Sequence, residues 1–475
     1  MVFTSPTFLF GFLPLTLVFY FLSPKSVKNL ILLGMSLLFY AWGEFTYLLV
    51  MIASITVNYS VGIWLDYSNQ KKKVLLVGVG LNLVILLHFK YLSFLIENWN
   101  KFIGTDHGLS LTPPDIHLPL GISFFTFQAI SYLVDVYRND AKVQKNIFHL
   151  ALYLSLFPQL IAGPIVRFSD VTDQIESRAH KLSDFSLGIE RFIFGLSKKM
   201  WLANPMGELS DLIFQLSSDE RTLPIAWIGI IAYGLQIYFD FSGYSDMAIG
   251  LGKMFGFHFL ENFNYPYISR SIREFWRRWH ISLSTWFRDY LYIPLGGSRV
   301  RSSRIYFNLF CVFVVTGFWH GASWNFLIWG LFHGTFLALE HAGGYKLLNK
   351  LPGVIQHSYT ITIVLIGWVF FRSESLNGSI LYLSDMFNFN NIWTNQFQIL
   401  SIFSKEFMLI GTISLFIAFP TFNLLKHLIR NNFKRIGINY ELAKLSKMFF
   451  LLCLFCFCVL KIASSTYNPF IYFRF

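Results

Sequence analysis

Charged side chains are scarce in this chain of 475 residues. Asp, Glu, Lys and Arg together make up 13% of the sequence, about half of the ~25% that is typical of soluble domains. Hydrophobic residues make up 54%, and they come in blocks of about 15 to 22 residues, the length that crosses the hydrocarbon core of a bilayer. This composition excludes a soluble, collagen-like or disordered protein and predicts a polytopic integral membrane protein.

Acidic residues are also outnumbered, 26 against 38 Lys and Arg, which leaves a net charge of +12. The excess lies in short loops between apolar blocks and not in a basic domain or tail, so it indicates membrane topology and excludes nucleic-acid binding. Basic loops near residues 25–28, 71–73 and 138–145 alternate with loops that lack such an excess. By the positive-inside rule the N-terminus is expected outside. The mixed charges after residue 165 leave the orientation of the later segments in the membrane undecided.

Cysteine is rare, and the common nucleotide, zinc-protease and serine-hydrolase motifs are missing. The four cysteines, Cys311, Cys453, Cys456 and Cys458, lie in apolar stretches and are expected to be packing residues, not zinc ligands or disulfides. The sequence has no nucleotide-binding glycine loop, no HExxH and no GxSxG, which excludes phosphohydrolase and metalloprotease functions. We therefore predict no metal and no bound cofactor.

The first apolar run has neither a basic flank nor a cleavage site, which favours a retained span over a signal peptide.

The apolar blocks predict about 10–13 membrane helices. Several are shorter than ~20 residues, so some are expected to be re-entrant, interfacial or buried among other helices. No repeat, linker or low-complexity segment interrupts the chain, and residues 1–475 are predicted to form one transmembrane domain. The blocks are 8–22, 29–42, 46–65, 74–96, 118–137, 147–163, 186–203, 223–240, 305–319, 324–340, 358–371, 406–425 and 447–462.

The stretch 270–304 carries eight arginines and two acidic residues, a net charge of +6 that is half of the net charge of the chain. It is expected on the cytoplasmic side. Helical spacing predicts a basic stripe and, about 120° away, an aromatic one. Two interpretations remain open: an interfacial anchor, or a cavity mouth whose guanidinium groups attract a phosphate-bearing donor. The basic stripe comprises Arg273, Arg277, His280, Ser284 and Arg288, and the aromatic one Trp276, Trp279, Leu283, Trp286 and Tyr290.

A second histidine, His320, follows the apolar run 307–318, beside the small residues Gly317 and Gly321. An ionisable group at membrane depth is costly, so it is a candidate functional residue that faces a cavity. A neutral imidazole can remove a proton from a hydroxyl near neutral pH, and this predicts a general base. The alternative is a histidine that packs between helices. His333 is a weaker candidate of the same kind.

Other polar residues within apolar blocks are expected to pair with arginines or to cap broken helices. The alternative is that one of these residues lines the path of the substrate. They are Gln128, Asp135, Gln236, Asp240, Ser242 and Asp246.

Long sequence strings resemble the membrane-bound O-acyltransferase family, in the bacterial branch that includes the alginate and peptidoglycan O-acetylation proteins and the teichoic-acid D-alanylation protein. The resemblance extends along nearly the whole chain. The sequence strings are more similar to those of the acetyl-transferring members than to those of the D-alanylation protein. The strings are FYAWGEF at 39–45, LPLGISFFTFQAISYLVDVYR at 118–138, FPQLIAGPIVR at 157–167, YFDFSGYSDMAIG at 238–250, NFNYPYISRSIREFWRRWHISLSTWFRDYLYIPLGG at 262–297, FWHGASWNFLIWG at 318–330 and NPFIYFRF at 468–475.

The resemblance implies an all-helical (all-α) membrane fold around a central tunnel near mid-membrane, in the bacterial cytoplasmic membrane. The essential histidine of the family falls at His320 and its second motif histidine at His280. The expected reaction takes an acetyl group from cytoplasmic acetyl-CoA, with His320 as general base and His280 orienting the donor or stabilising charge. The acceptor is a polysaccharide hydroxyl or a periplasmic partner acetyltransferase. Predicted substrate contacts are Arg273, Arg277, Ser284, Trp319 and Asn325.

Three alternatives stay open on the sequence alone. One is a covalent acetyl-histidine relay. The second is D-alanyl transfer from a carrier protein that docks at the cytoplasmic face. The third is a non-enzymatic transporter of an acyl carrier or polysaccharide, in which the histidines serve as relay or gate.

Overall fold

The computed structural model describes residues 1–104, 109–161, 163–392, 404–421, 440–465 and 467–470. All regular secondary structure within these ranges is helical, which confirms the all-helical prediction. The last five residues of the closing NPFIYFRF string and the end of the block 406–425 lie outside the described residues.

Within the described ranges, seven helices are long and apolar enough to cross a membrane, and the protein is a multi-pass membrane protein. Each coincides with a predicted apolar block. They are Lys25–Glu44, Leu48–Tyr67, Lys71–Ile103, Leu223–Met254, Ser302–His320, Gly353–Arg372 and Glu441–Ser464.

The remaining predicted blocks form shorter helices. The first is the apolar helix Thr7–Leu22, and the others are 9 to 17 residues long. Ile122–Arg138 shows the physical reason, since nearly all of its side chains are buried by protein and not exposed to lipid. The shorter helices include Ile147–Ser155, Leu182–Ser197, Asn204–Phe214, Ile272–Arg278, Ile281–Phe287, Trp324–Leu339, Leu376–Met386 and Lys405–Ala418.

The chain groups into two compact units. The first comprises Met1–Ile189, Met247–Leu260 and Gly321–Ser323, and the second comprises Glu190–Asp246, Glu261–His320 and Trp324–Phe475. The single domain expected from the sequence stays a prediction. His280, His320 and the arginines of the basic stretch all belong to the second unit.

The first unit has an aromatic core. The rings of Phe8, Phe12, Phe39 and Phe157 are buried, with centroids 5.3 to 6.3 Å apart. Such contacts add to the free energy gained by burying the rings. Of the buried polar residues predicted here, Asp135 accepts a hydrogen bond from Ser169 (Oγ to Oδ2, 3.0 Å).

Buried ion pairs anchor the second unit. Asp240, on the helix Leu223–Met254, lies 2.7 Å from Lys199 Nζ, and both side chains are almost fully buried. Asp246 on the same helix contacts Arg191 at 2.8 Å and Lys198 at 2.6 Å. The predicted pairing of these two aspartates is therefore observed, although lysines take part as well as an arginine.

Two glycines set the distance between the helices Ser302–His320 and Trp324–Leu339. A Cβ at Gly317 would lie 2.3 Å from the carbonyl oxygen of Phe326, and a Cβ at Gly330 would lie 2.2 Å from that of Phe313. Such distances are far below van der Waals contact, so these positions accept only glycine without movement of a backbone. The close crossing fixes the position of His320 at the end of the first helix.

Candidate active site

The basic stretch does not form the continuous helix that its spacing predicts. The helix Ile272–Arg278 ends before Trp279, whose backbone is extended, and His280 adopts the left-handed conformation with φ 42° and ψ 56°. A second helix then runs over Ile281–Phe287 and continues as a π-helical turn over Arg288–Tyr292. A non-glycine residue in this conformation is uncommon and persists only where surrounding contacts hold it.

Asn262 supplies the contacts that hold the break. Its main-chain carbonyl accepts a hydrogen bond from Ile281 N–H (2.9 Å), and its side-chain oxygen accepts one from Ser282 N–H (3.2 Å). These N–H groups open a helix and have no partner within it. The break at His280 is therefore decided by a residue eighteen positions earlier, which helical periodicity does not reveal.

The ring of His280 is 1% exposed and lies among neutral groups. Its Nδ1 lies 3.1 Å from Oδ1 of Asn262, and the ring packs edge-on against Phe241 with centroids 4.5 Å apart. His280 lies outside the seven spanning helices, and burial lowers the pKa of its imidazole to about 3. The ring is therefore neutral at physiological pH.

A cavity of about 580 Å³ adjoins the two short helices. Of the predicted substrate contacts, it brings together Arg273, Arg277 and Ser284, and Arg288 also lines it. Phe313 and other apolar side chains also line the cavity. The complete lining is Arg273, Trp276, Arg277, Ile281, Leu283, Ser284, Thr285, Phe287, Arg288, Val312, Phe313, Thr316 and Leu337. The cavity thus combines guanidinium and hydroxyl groups with an apolar surface.

Glu340, a residue that the sequence analysis missed, anchors the arginine helix. Its carboxylate accepts hydrogen bonds from the N–H groups of Ile272 (2.7 Å) and Arg273 (3.1 Å), and the side chain is 2% exposed. A carboxylate at a helix N-terminus is favoured by the free N–H groups and by the helix dipole. Its position at the end of the apolar block 324–340 was the only available signal, because the partners lie almost seventy residues earlier.

His320 is the last residue of the helix Ser302–His320, and its ring is 6% exposed. Trp319, Trp329 and Phe371 surround it, with ring centroids 5.0 to 5.1 Å from that of the imidazole. This aromatic enclosure excludes water from most of the ring.

Trp319 connects the two histidines that the sequence analysis selected. Its ring centroid lies 5.0 Å from that of His320 and 6.3 Å from that of His280. The two imidazoles, forty residues apart in sequence, therefore lie beside the same indole. Neither histidine is among the residues that line the arginine cavity.

The two remaining candidates have contacts of their own. Asn325 donates a hydrogen bond from Nδ2 to the carbonyl of Ser373 (2.7 Å), which ties the start of one helix to the end of another. His333 is buried between Trp276 and Trp329, with centroids 5.1 and 5.2 Å away. Because Trp276 lines the cavity, His333 lies behind the cavity wall.

Comparisons with known proteins agree with this architecture. A family model described as "MBOAT, membrane-bound O-acyltransferase family" matches residues 7–343. A "Probable alginate O-acetylase AlgI" of Pseudomonas putida is 41% identical, with both chains covered completely. A "Peptidoglycan O-acetyltransferase" of Helicobacter pylori is 36% identical over 82% of this chain and 81% of its own.

A more distant relative is a "Teichoic acid D-alanyltransferase" of Streptococcus thermophilus, which is 30% identical over 49% of this chain and 59% of its own. The acetylases are thus more similar to this chain, and over a greater length, than this D-alanyltransferase. The family model covers most of the chain, including both histidines and the arginine cavity. The chain therefore belongs to the membrane-bound O-acyltransferase family and is an O-acyltransferase.

Proposed function

We propose that this protein transfers acetyl groups from acetyl-CoA to hydroxyl groups of a cell-envelope or exported polysaccharide, either alginate-like or peptidoglycan. The relatives with the highest identity and coverage among those described above are named for O-acetylation of these two polymers. The observation that carries the proposal is a cavity lined by three arginines together with apolar groups, in the same compact unit as two buried histidines.

The cavity suits the chemistry of a coenzyme A thioester. Guanidinium groups match phosphate oxygens in geometry and charge, and Arg273, Arg277 and Arg288 are the cavity residues that would hold them. The apolar wall suits the uncharged arm that carries the thioester. A volume of about 580 Å³ lies within the range of small-molecule sites, ~300–1,000 Å³.

Acetyl transfer needs one proton acceptor near the thioester. In our proposal His320 removes the proton of the acceptor hydroxyl as its oxygen attacks the thioester carbonyl. A new C–O bond forms, the C–S bond breaks, and the departing thiolate takes the proton from the imidazolium. His320 is thereby regenerated, and no covalent acetyl-histidine is required.

The two substrates enter from opposite sides in this proposal. The arginines of 270–304 face the cytoplasm, where acetyl-CoA is made, and the N-terminus faces outward, as the alternation of basic loops predicts. The protein then belongs in the bacterial cytoplasmic membrane. The acetyl group is delivered outside, either to the polysaccharide itself or to a periplasmic partner acetyltransferase.

The direct test is acetyl transfer by purified protein in lipid nanodiscs. Acetyl-CoA with a radiolabelled acetyl group is supplied with mannuronate oligosaccharides or with peptidoglycan fragments, and the release of free CoA and the formation of acetyl ester are measured together. We expect equal amounts of both products. Label recovered on a histidine would support the covalent relay instead. Activity only with a D-alanyl carrier protein, or movement of intact acetyl-CoA across vesicles without thioester cleavage, would overturn the proposal.

A further inference from the structure

The proposed function leaves the role of His280 open between two tasks. A ring that donates a hydrogen bond would stabilise negative charge on the thioester oxygen, whereas a ring that accepts one would orient an O–H or N–H group of a substrate. The choice depends on which ring nitrogen carries the proton. The surroundings of His280 determine this.

The orientation of the Asn262 side chain is settled by its partners. Its Oδ1 faces the backbone N–H of Ser282 (3.2 Å) and the hydroxyl of Ser282 (2.9 Å), and its Nδ2 donates to the hydroxyl of Ser245 (3.1 Å). A backbone N–H can only donate, so the amide atom that faces it must be the oxygen. The reversed amide would place two donors against each other.

The orientation of Asn262 then determines the tautomer of His280. Because Oδ1 can only accept, Nδ1 of His280 at 3.1 Å must carry the hydrogen. The Ser282 hydroxyl is 3.5 Å from the same nitrogen but 2.9 Å from Oδ1, so it donates to Asn262. In the neutral ring Nε2 is therefore an unprotonated acceptor.

This acceptor is buried and has no hydrogen-bond partner among the residues that the structure describes. A buried polar atom without a partner destabilises a folded protein, and each such atom calls for an explanation. Phe241, which packs against His280, has no hydrogen-bond donor, and no hydrogen bond joins the indole N–H of Trp319 to Nε2 of His280. A substrate group is the explanation that fits an acyltransferase.

We propose that Asn262 is a positioning residue that holds His280 in the Nδ1–H tautomer, so that Nε2 accepts a hydrogen bond from a substrate O–H or N–H group. This inference rests on the proposed function and narrows it: His280 does not donate to the thioester oxygen. His320 keeps the role of proton acceptor. Asn262 contacts no substrate and acts only through the imidazole.

A purely structural Asn262 is the competing explanation, since it also holds the backbone at the break. The substitution Asn262→Asp separates the two. A carboxylate still accepts from Ser282 N–H and from Nδ1, and Ser245 can donate to its second oxygen, so the break is preserved. Its negative charge stabilises the imidazolium, and the acid limb of the kcat/KM profile then moves to higher pH. If Asn262 has only a structural role, the acid limb of the kcat/KM profile stays at its wild-type pH. Ser245→Ala is the matched control, because it removes a partner of Asn262 without touching His280.

The tautomer itself is measured by nitrogen NMR on full-length protein labelled with ¹⁵N-histidine, with His280→Gln to assign the signal. We expect an unprotonated Nε2 at pH 7 in the wild type and in Ser245→Ala. A protonated Nε2, or an acid limb that stays in place in folded Asn262→Asp, would overturn the inference. The two proposals fail separately: wild-type protein that transfers no acetyl group contradicts the proposed function, while the NMR signal still decides the tautomer.

Discussion

The two histidines differ in what their surroundings let them do. His280 is tied through Nδ1 to an amide and lies on a broken helix, whereas His320 ends a long helix and is enclosed by Trp319, Trp329 and Phe371. Aromatic walls lower the local dielectric constant, which strengthens any hydrogen bond that forms inside them. The substitutions that test each ring therefore probe different chemistry.

Replacing His320 by Ala should abolish acetyl transfer and leave a folded membrane protein, because the proposed proton acceptor is lost. General-base catalysis typically contributes ~10²–10⁴-fold, so the expected loss of kcat is at least ~100-fold. The measurement is acetyl ester formed in nanodiscs by protein that elutes as a single species. His341→Ala serves as control, since His341 is exposed and lies 21 positions later. Full activity in folded His320→Ala protein would refute the role.

Replacing Arg277 by Gln should weaken donor binding without disturbing the fold. A charge-assisted hydrogen bond contributes ~1.5–3 kcal/mol, so KM for acetyl-CoA is expected to rise about 10- to 150-fold while kcat changes little. Steady-state kinetics at fixed acceptor concentration provides the measurement. Arg301→Gln is the matched control, because it removes the same charge from the same stretch at an exposed position that does not line the cavity. Equal KM values in the two variants would contradict the donor site.

Pairs of helices decide where these side chains lie. The helices Ser302–His320 and Trp324–Leu339 cross at Gly317 and Gly330, where backbone meets backbone. The hydrophobic effect does not drive helices together in lipid. Small residues at such crossings allow close van der Waals packing, which holds the helices together instead. The position of His320 is therefore as sensitive to these glycines as to its own neighbours.

Gly317→Ala should separate this helix pair and lower stability. The added Cβ would lie 2.3 Å from the Phe326 carbonyl oxygen, and overpacking of this kind costs about 1–3 kcal/mol. We expect a lower thermal unfolding midpoint in detergent and reduced activity. Gly80→Ala, in the helix Lys71–Ile103, meets no atom within 4 Å and provides the control. If both variants melt at the wild-type temperature, the crossing is looser than the distances imply.

The buried pair between Lys199 and Asp240 links two further elements, and breaking it should be more damaging than removing an exposed pair. Asp240→Asn leaves a buried ammonium without its counter-charge, which costs about 3–5 kcal/mol. Denaturation in mixed micelles measures the loss. Glu190→Gln breaks the more exposed pair with Lys447 and is expected to cost at most ~1 kcal/mol. In the double variant Lys199→Met/Asp240→Leu, most of the stability should return. A double variant as unstable as Asp240→Asn would contradict the electrostatic explanation.

On the scale of the whole molecule, loop charge predicts the orientation in the membrane. Lysines 71–73 open the helix Lys71–Ile103, directly after the turn that follows the helix Leu48–Tyr67, and basic residues next to a span are retained in the cytoplasm. In a variant without the four native cysteines, Asn69→Cys should react with a membrane-impermeant thiol reagent only after permeabilisation. Thr112→Cys, in the next loop, should react in intact cells. The opposite labelling pattern would contradict the predicted orientation of the N-terminal segments.

Much of this protein could be predicted because its signals are local. Apolar length predicted each spanning helix found in the described part of the chain, since a bilayer imposes the same minimum length on every span. Residue types and spacing also identified Arg273, Arg277 and Ser284, which the cavity brings together. Spacing alone did not predict the break at His280. The hydrogen bonds that stabilise this backbone conformation come from a segment outside the helix, and the spacing of residues within the helix gives no information about them.

By itself the sequence determined an all-helical membrane protein of the acyltransferase family, because hydropathy and long motifs are properties of neighbouring residues. Only the tertiary structure decided the partners of the buried polar groups: Asn262 for His280, Glu340 for the arginine helix and Lys199 for Asp240. Each partner comes from a distant segment. A buried polar atom without a partner is so costly in free energy that the fold must provide a hydrogen-bonding or ionic partner for it. Pairings of this kind depend on how helices pack, which no local pattern encodes.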